Sequence, residues 1–178
     1  MSQVLRFRCP TCDEVHSGIP DLAFGAPAYF EQLSEEEREA RAVLTPDTCV
    51  INDTKFFIRG FLEIPIREQH DAFGWGVWVS LSEINFKRYV QFFDIDPPAG
   101  EGPYFGWFSN RLPRYPDTLN LKTQIHLQPG GDRPKIELEP TEHPLALHQR
   151  DGISLEELVA ILGESLHGKP GVYRNAAG

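Results

Sequence analysis

The chain has 178 residues, 40% of them hydrophobic, and 26 acidic against 17 basic side chains give a net charge of −9. That length and apolar content support a self-sufficient folded core and exclude a disordered chain. The acidic balance works against phosphate-rich partners, so nucleic acid and anionic membranes are not expected to bind, and no apolar run reaches the ~20 residues that cross a bilayer.

In chain order, the first feature is "CPTCDEVH", Cys9 to His16, followed by an irregular segment rich in Gly, Pro and Ala. Ser34 and Glu37 have the spacing of a capping box, in which each side chain satisfies the other's orphan amide, and this predicts a short solvated helix over 35–43. Residues 48–52 and 55–66 read as strands joined by a turn at "NDT". On the second strand Phe56, Ile58, Leu62 and Ile64 share a core face, whereas Phe57, Arg59, Phe61 and Glu63 form a mixed face suited to border a groove or partner.

Phe73, Trp75, Val77, Val79 and Leu81 alternate on a third strand, after which Phe86, Tyr89, Val90 and Phe93 recur at helical spacing behind Ser80 or Ser82. "YFGWFSN" repeats the Phe-Gly-Trp tripeptide of residues 73–75 at 105–107. Glycine within a strand marks close approach of a large group, either an aromatic ring of the core or an aromatic ligand. Two further strands, "LKTQIHLQ" and "KIELEP", flank the turn "PGGDRP". The last helix starts at a second capping box, Ser154 and Glu157, carries Leu155, Leu158, Val159, Leu162 and Leu166 on one stripe, and meets a stop at Gly168.

Hairpin-length links and few, separate helices predict an α+β fold. Its expected form is a mainly antiparallel sheet of about five or six strands with two or three helices and an N-terminal zinc-knuckle segment. One domain is expected over 1–168, its residues 9–49 containing the knuckle segment, with a flexible tail over 169–178.

Only three cysteines occur, Cys9, Cys12 and Cys49. The opening "MSQVLRFRCP" is too short and polar for a secretory signal, so a cytoplasmic location with reduced thiols is expected. A Cys-Pro-x-Cys turn points two sulfurs at one ion, and the position after it, Asp13, must tolerate a left-handed backbone. The expected structural zinc set is Cys9, Cys12, His16 and Cys49. Closing the chain between them costs about 3 kcal/mol by loop-length scaling, against ~10–16 kcal/mol available from structural zinc. The competing readings are inert thiols, with Cys49 buried as a small hydrophobe, and a redox pair at Cys9 and Cys12. The strand-to-helix βαβ context of a thioredoxin-like pair is missing.

The polar stretch "SNRLPRYPDTLNLKT" offers Asn110, Arg111, Asp117, Thr118 and Lys122 as candidates to converge on a small anion or a partner's carboxylate. The plainer reading has Asp117 and Thr118 holding a turn and Arg111 in an ordinary ion pair. No nucleophile elbow or helical His-Glu metalloprotease pattern appears, so no catalytic signature is read.

The phrases "CPTCDEVHSGIPDLAFGAPAYF", "DTCVINDTKFFIRGFLEIPI", "FGWGVWVSLSEINFKRY", "PYFGWFSNRLPRYPDTLNLKT" and "IELEPTEHPLALHQRDGIS" resemble the bacterial domain of unknown function 2199 family. The resemblance covers nearly the whole chain and implies a bacterial single-domain protein without an assigned activity. The family's Cys-x2-Cys-Gly start with a following histidine is matched by Cys9, Cys12 and His16, with Asp13 in place of glycine. The expected function is a zinc-stabilised module that binds another protein. The alternatives are an enzyme using the 110–122 loop and a thiol redox sensor. Oligomeric state is not legible.

Overall fold

The computed structural model describes residues 6–67, 69, 71–167 and 172–174. Among these residues the chain is α+β, with eleven short to medium strands, five α-helices and one 3-10 turn. That exceeds the expected five or six strands and two or three helices. Much of the excess lies in five three-residue strands, two of which form a separate hairpin, and in short helices.

Two long strands organise everything else. β6 (Lys55–Pro65) and β7 (Ala72–Leu81) pair antiparallel along their whole length, from Phe56 opposite Leu81 to Pro65 opposite Ala72. Ile58, Leu62, Ile64, Phe73, Trp75, Val77 and Val79 are all buried from this ribbon, as the alternating pattern predicts. Trp78 on the opposite face is buried too, its indole N–H donating to the Phe24 carbonyl at 2.9 Å.

Each long strand serves two neighbours along its outer edge. The end of β7 pairs with β8 (Tyr104–Phe108), which pairs with β9 (Lys122–His126), which pairs with β10 (Lys135–Leu138). β10 meets β6 in parallel at one position, Lys135 beside Phe61, and closes a five-stranded barrel. Closure removes the free edges that an open sheet would expose. The other half of β6 carries β5 (Thr48–Ile51) and then β4 (Ala42–Leu44). The other half of β7 carries β3 (Leu22–Phe24) in parallel. Beyond β3 lies β11 (Val172–Arg174), within the segment expected to be a flexible tail.

The Phe-Gly-Trp glycines are sites of close approach within the protein. A Cβ on Gly74 would lie 1.8 Å from the Phe61 ring, and one on Gly106 would lie 2.3 Å from the Ser80 carbonyl oxygen. The former is an aromatic ring lying across a neighbouring strand's glycine; the latter is backbone against backbone.

The helices follow their caps. α2 (Glu35–Arg41) begins at the expected box, Ser34 N–H to Glu37 at 2.9 Å and Glu37 N–H to Ser34 Oγ at 3.2 Å. It ends before Ala42, because Ala42–Leu44 pairs with β5 as β4 instead of completing the helix expected to residue 43. α3 (Glu83–Gln91) is capped by Ser82. α1 (Ala28–Glu31) and α4 (Pro144–Asp151) are additional. α5 (Leu155–Leu166) starts at the Ser154 and Glu157 box, while its expected stop, Gly168, lies outside the described residues.

Candidate metal centre

The first turn of the chain forms a small hairpin of its own. β1 (Arg6–Arg8) and β2 (Val15–Ser17) pair antiparallel with Phe7 opposite His16. Between them the Cys9 carbonyl accepts from the Asp13 N–H at 2.9 Å, and the Cys9 N–H donates to the Glu14 carbonyl at 2.8 Å. This tight loop needs a left-handed residue, and Asp13 adopts φ 61°. Arg8 braces it from outside, with Nη1 3.1 Å from the Asp13 carboxylate and 2.9 Å from its carbonyl.

The loop brings Cys9, Cys12 and His16 together, with Cys12 Sγ 3.3 Å from His16 Nε2. The fourth member is His167, immediately after α5. One donor atom from each of the four lies within 4.8 Å of the others. Cys9 is buried, Cys12 and His16 are half-buried and His167 is exposed, so the group faces inward at one end and solvent at the other. A tetrahedral centre with metal–sulfur bonds of about 2.3 Å and metal–nitrogen bonds of about 2.0–2.1 Å needs donors that draw in only slightly from such a cluster.

The contact that positions His167 runs between the knuckle and α5. The Thr11 hydroxyl donates to the Gly163 carbonyl at 3.0 Å. Pro10 lies over Gly163 so closely that a Cβ there would sit 2.8 Å from Pro10 Cγ. A glycine inside a helix costs about 1 kcal/mol relative to alanine, and here it opens the seat into which the Cys-Pro-Thr-Cys turn fits. The His16 and His167 rings stand 5.6 Å apart at 53°.

The electrostatics suit thiolate formation at one sulfur first. Burial pushes the Cys9 thiol up, but the Cys12 and Thr11 amides outweigh it and hold Cys9 below the ordinary thiol value. At Cys12 the Glu14 amide pulls downward, yet burial and the neighbouring Cys9 leave that thiol above its ordinary value. An ion between the sulfurs would relieve this mutual repulsion, since a coordinated thiol is deprotonated outright.

Cys49 does not enter the group, in contrast to the expected fourth ligand. It sits on β5 between Leu44 of β4 and Phe57 of β6, fully buried among core side chains. Burial pushes its thiol up to about 12, which is the condition of a small hydrophobe.

The polar 110–122 stretch divides its residues between structural duties. Asn110 is buried, accepting from the Trp78 N–H at 2.6 Å and donating to the Ala26 carbonyl at 2.9 Å. Thr118 donates to the Asn110 carbonyl at 2.6 Å and accepts from the Leu112 N–H at 3.1 Å. Asp117 accepts from the Leu119 N–H at 3.1 Å and lies 3.5 Å from Arg111, both side chains largely exposed. Lys122 lies on β9 opposite Trp107. The two buried members hold the turn against β7, so the five side chains do not converge on one open space.

Residues 8–153 match the family described as uncharacterized protein conserved in bacteria (DUF2199). The chain belongs to this family. Cys9, Cys12 and His16 fall inside the matched span, whereas His167 lies beyond it. No curated protein and no solved structure matches the chain. In this DUF2199 chain no helix among the described residues is long and apolar enough to cross a membrane.

Proposed function

We propose that this DUF2199 chain is a zinc-stabilised protein-binding module in which Cys9, Cys12, His16 and His167 hold one structural zinc ion. The observation that carries the reading is the four donor atoms within 4.8 Å of one another. Two thiolates and two imidazoles form a recognised structural zinc set, and four protein donors leave no open position for substrate. The ion would clasp the N-terminal hairpin to the end of α5, joining segments that the barrel alone leaves at the periphery.

The binding role is supported by Phe105 and Trp107 on the outer face of β8. Each is 40% exposed, and their rings meet edge to face at 5.0 Å. Trp107 also borders a recess floored by Phe57 and Leu81 and flanked by Tyr29 and Lys55. Exposed aromatic anchors beside a recess are the usual centre of a protein interface.

Native mass spectrometry with elemental analysis tests the ion: one zinc per chain supports the reading, and metal-free reduced protein contradicts it. For the interface, wild-type and F105A/W107A baits are compared on bacterial lysate. A protein retained by the former and lost by the latter supports the module, and identical capture by both contradicts it.

A further inference from the structure

A cleft on the outer face of the barrel, beside the single β6–β10 contact, has a volume of about 570 Å³. That falls within the range of small-molecule sites, about 300–1,000 Å³. Phe61, Phe92 and Phe93 supply an aromatic wall, with the buried Tyr89 behind them. The Arg133 Nε donates to Asp47 at 2.7 Å, which leaves its two terminal nitrogens without a protein partner among the described residues.

Glu63 and Lys135 line this cleft and also the adjoining one of about 410 Å³. They sit on adjacent strands and carry opposite charges, yet neither forms an ion pair with the other or with any described residue. The next acid on β10, Glu137, is engaged by His126 at 2.8 Å. With Asp47 held by Arg133, the lining offers Lys135 and the free end of Arg133 against Glu63 and Asp132. Cationic and anionic side chains next to each other in one lining suit a zwitterion, whose own charges are close together, better than an ion of single sign.

We propose that this cleft binds a free aromatic α-amino acid, its carboxylate at Arg133 and Lys135, its ammonium at Glu63 and its ring against Phe61, Phe92 and Phe93. The site is independent of the metal clasp, and nothing in the proposal requires zinc.

The test is amide-resolved NMR titration of the full metal-loaded chain with L-phenylalanine, phenylacetate and 2-phenylethylamine. The expected result is saturable shifts at residues 61–63 and 128–135, with L-phenylalanine binding at least tenfold tighter than either singly charged analogue. E63Q and K135Q, both surface changes, are each expected to weaken it at least tenfold. Absence of saturable shifts, equal affinity for all three compounds, shifts centred elsewhere, or unaltered binding by E63Q and K135Q would overturn the proposal.

Discussion

Thr11 and Gly163 are 152 positions apart in sequence, and the hydroxyl of the first donates to the carbonyl of the second at 3.0 Å. This bond and the Pro10 ring over the same glycine fix where the knuckle stands against α5, and hence how His167 approaches the two sulfurs.

Gly163→Ala tests that seat. The new methyl would meet Pro10 Cγ at 2.8 Å and Cδ at 3.0 Å, and a proline ring has little room to yield. Alanine also gains about 1 kcal/mol of helix propensity, so the barrel's melting temperature is expected to hold or rise slightly. Zinc affinity, read by chelator competition, is expected to fall at least tenfold. An alanine variant with wild-type affinity would show that the seat does not set the metal geometry.

Chelation is expected to loosen the clasp and spare the barrel. The β6–β7 ribbon buries its side chains without help from the N-terminal hairpin, and local opening follows such differences in packing. Hydrogen exchange should rise at residues 6–17 and 155–167 while the barrel strands keep their protection. Uniform loss of protection would contradict this.

Cys49 gives a pH-dependent prediction of opposite character. Its folded-state value is raised from 9.0 to about 12 by burial, so folding favours the neutral thiol. The associated stability is present below pH 9 and is lost as pH rises from 9 toward about 12, since the unfolded chain sheds the proton first. Cys49→Ala should remove this part of the alkaline slope, cost about 1–3 kcal/mol at neutral pH as a core truncation, and leave metal stoichiometry at one. Denaturant unfolding at several pH values, with metal analysis, checks all three.

Gly106→Ala probes barrel closure. Its Cβ would fall 2.3 Å from the Ser80 carbonyl oxygen and 2.7 Å from Ile125 Cδ1, and the first of these is backbone. The β7–β8 pairing at Ser80 and Trp107 must open to accept it. A loss of about 2–4 kcal/mol is expected, in the range of severe overpacking. Denaturant unfolding measures it, and a change below about 0.5 kcal/mol would be at odds with the described packing.

What the sequence disclosed was local. Both capping boxes place their helix starts, and Phe73 to Val79 alternate into the core, because these signals act within a few residues. α4 carries no ordinary start signal: its cap is His143, whose Nδ1 accepts from the Leu145 N–H at 3.1 Å, and histidine is not an ordinary capping residue. β4 read as the end of a helix, since nothing in "RAVL" stops one; pairing with β5 decides it. The parallel closure of β10 on β6 rests on one residue pair and leaves no pattern to read. At the candidate centre the Cys-x2-Cys turn and His16 were legible as a motif, but the fourth position was not. Cys49 is a spare sulfur in the sequence but a core side chain in the fold, while His167 follows the last apolar turn of α5 and reaches the knuckle by tertiary packing that no local pattern announces.

X-ray absorption at the zinc edge of the purified, reduced protein puts the donor set to its most direct test. The account predicts two sulfurs at about 2.3 Å and two nitrogens at about 2.0–2.1 Å, with one nitrogen lost in His167→Ala and no change in Cys49→Ala. A first shell containing three sulfurs, or one that His167→Ala leaves intact, would contradict it.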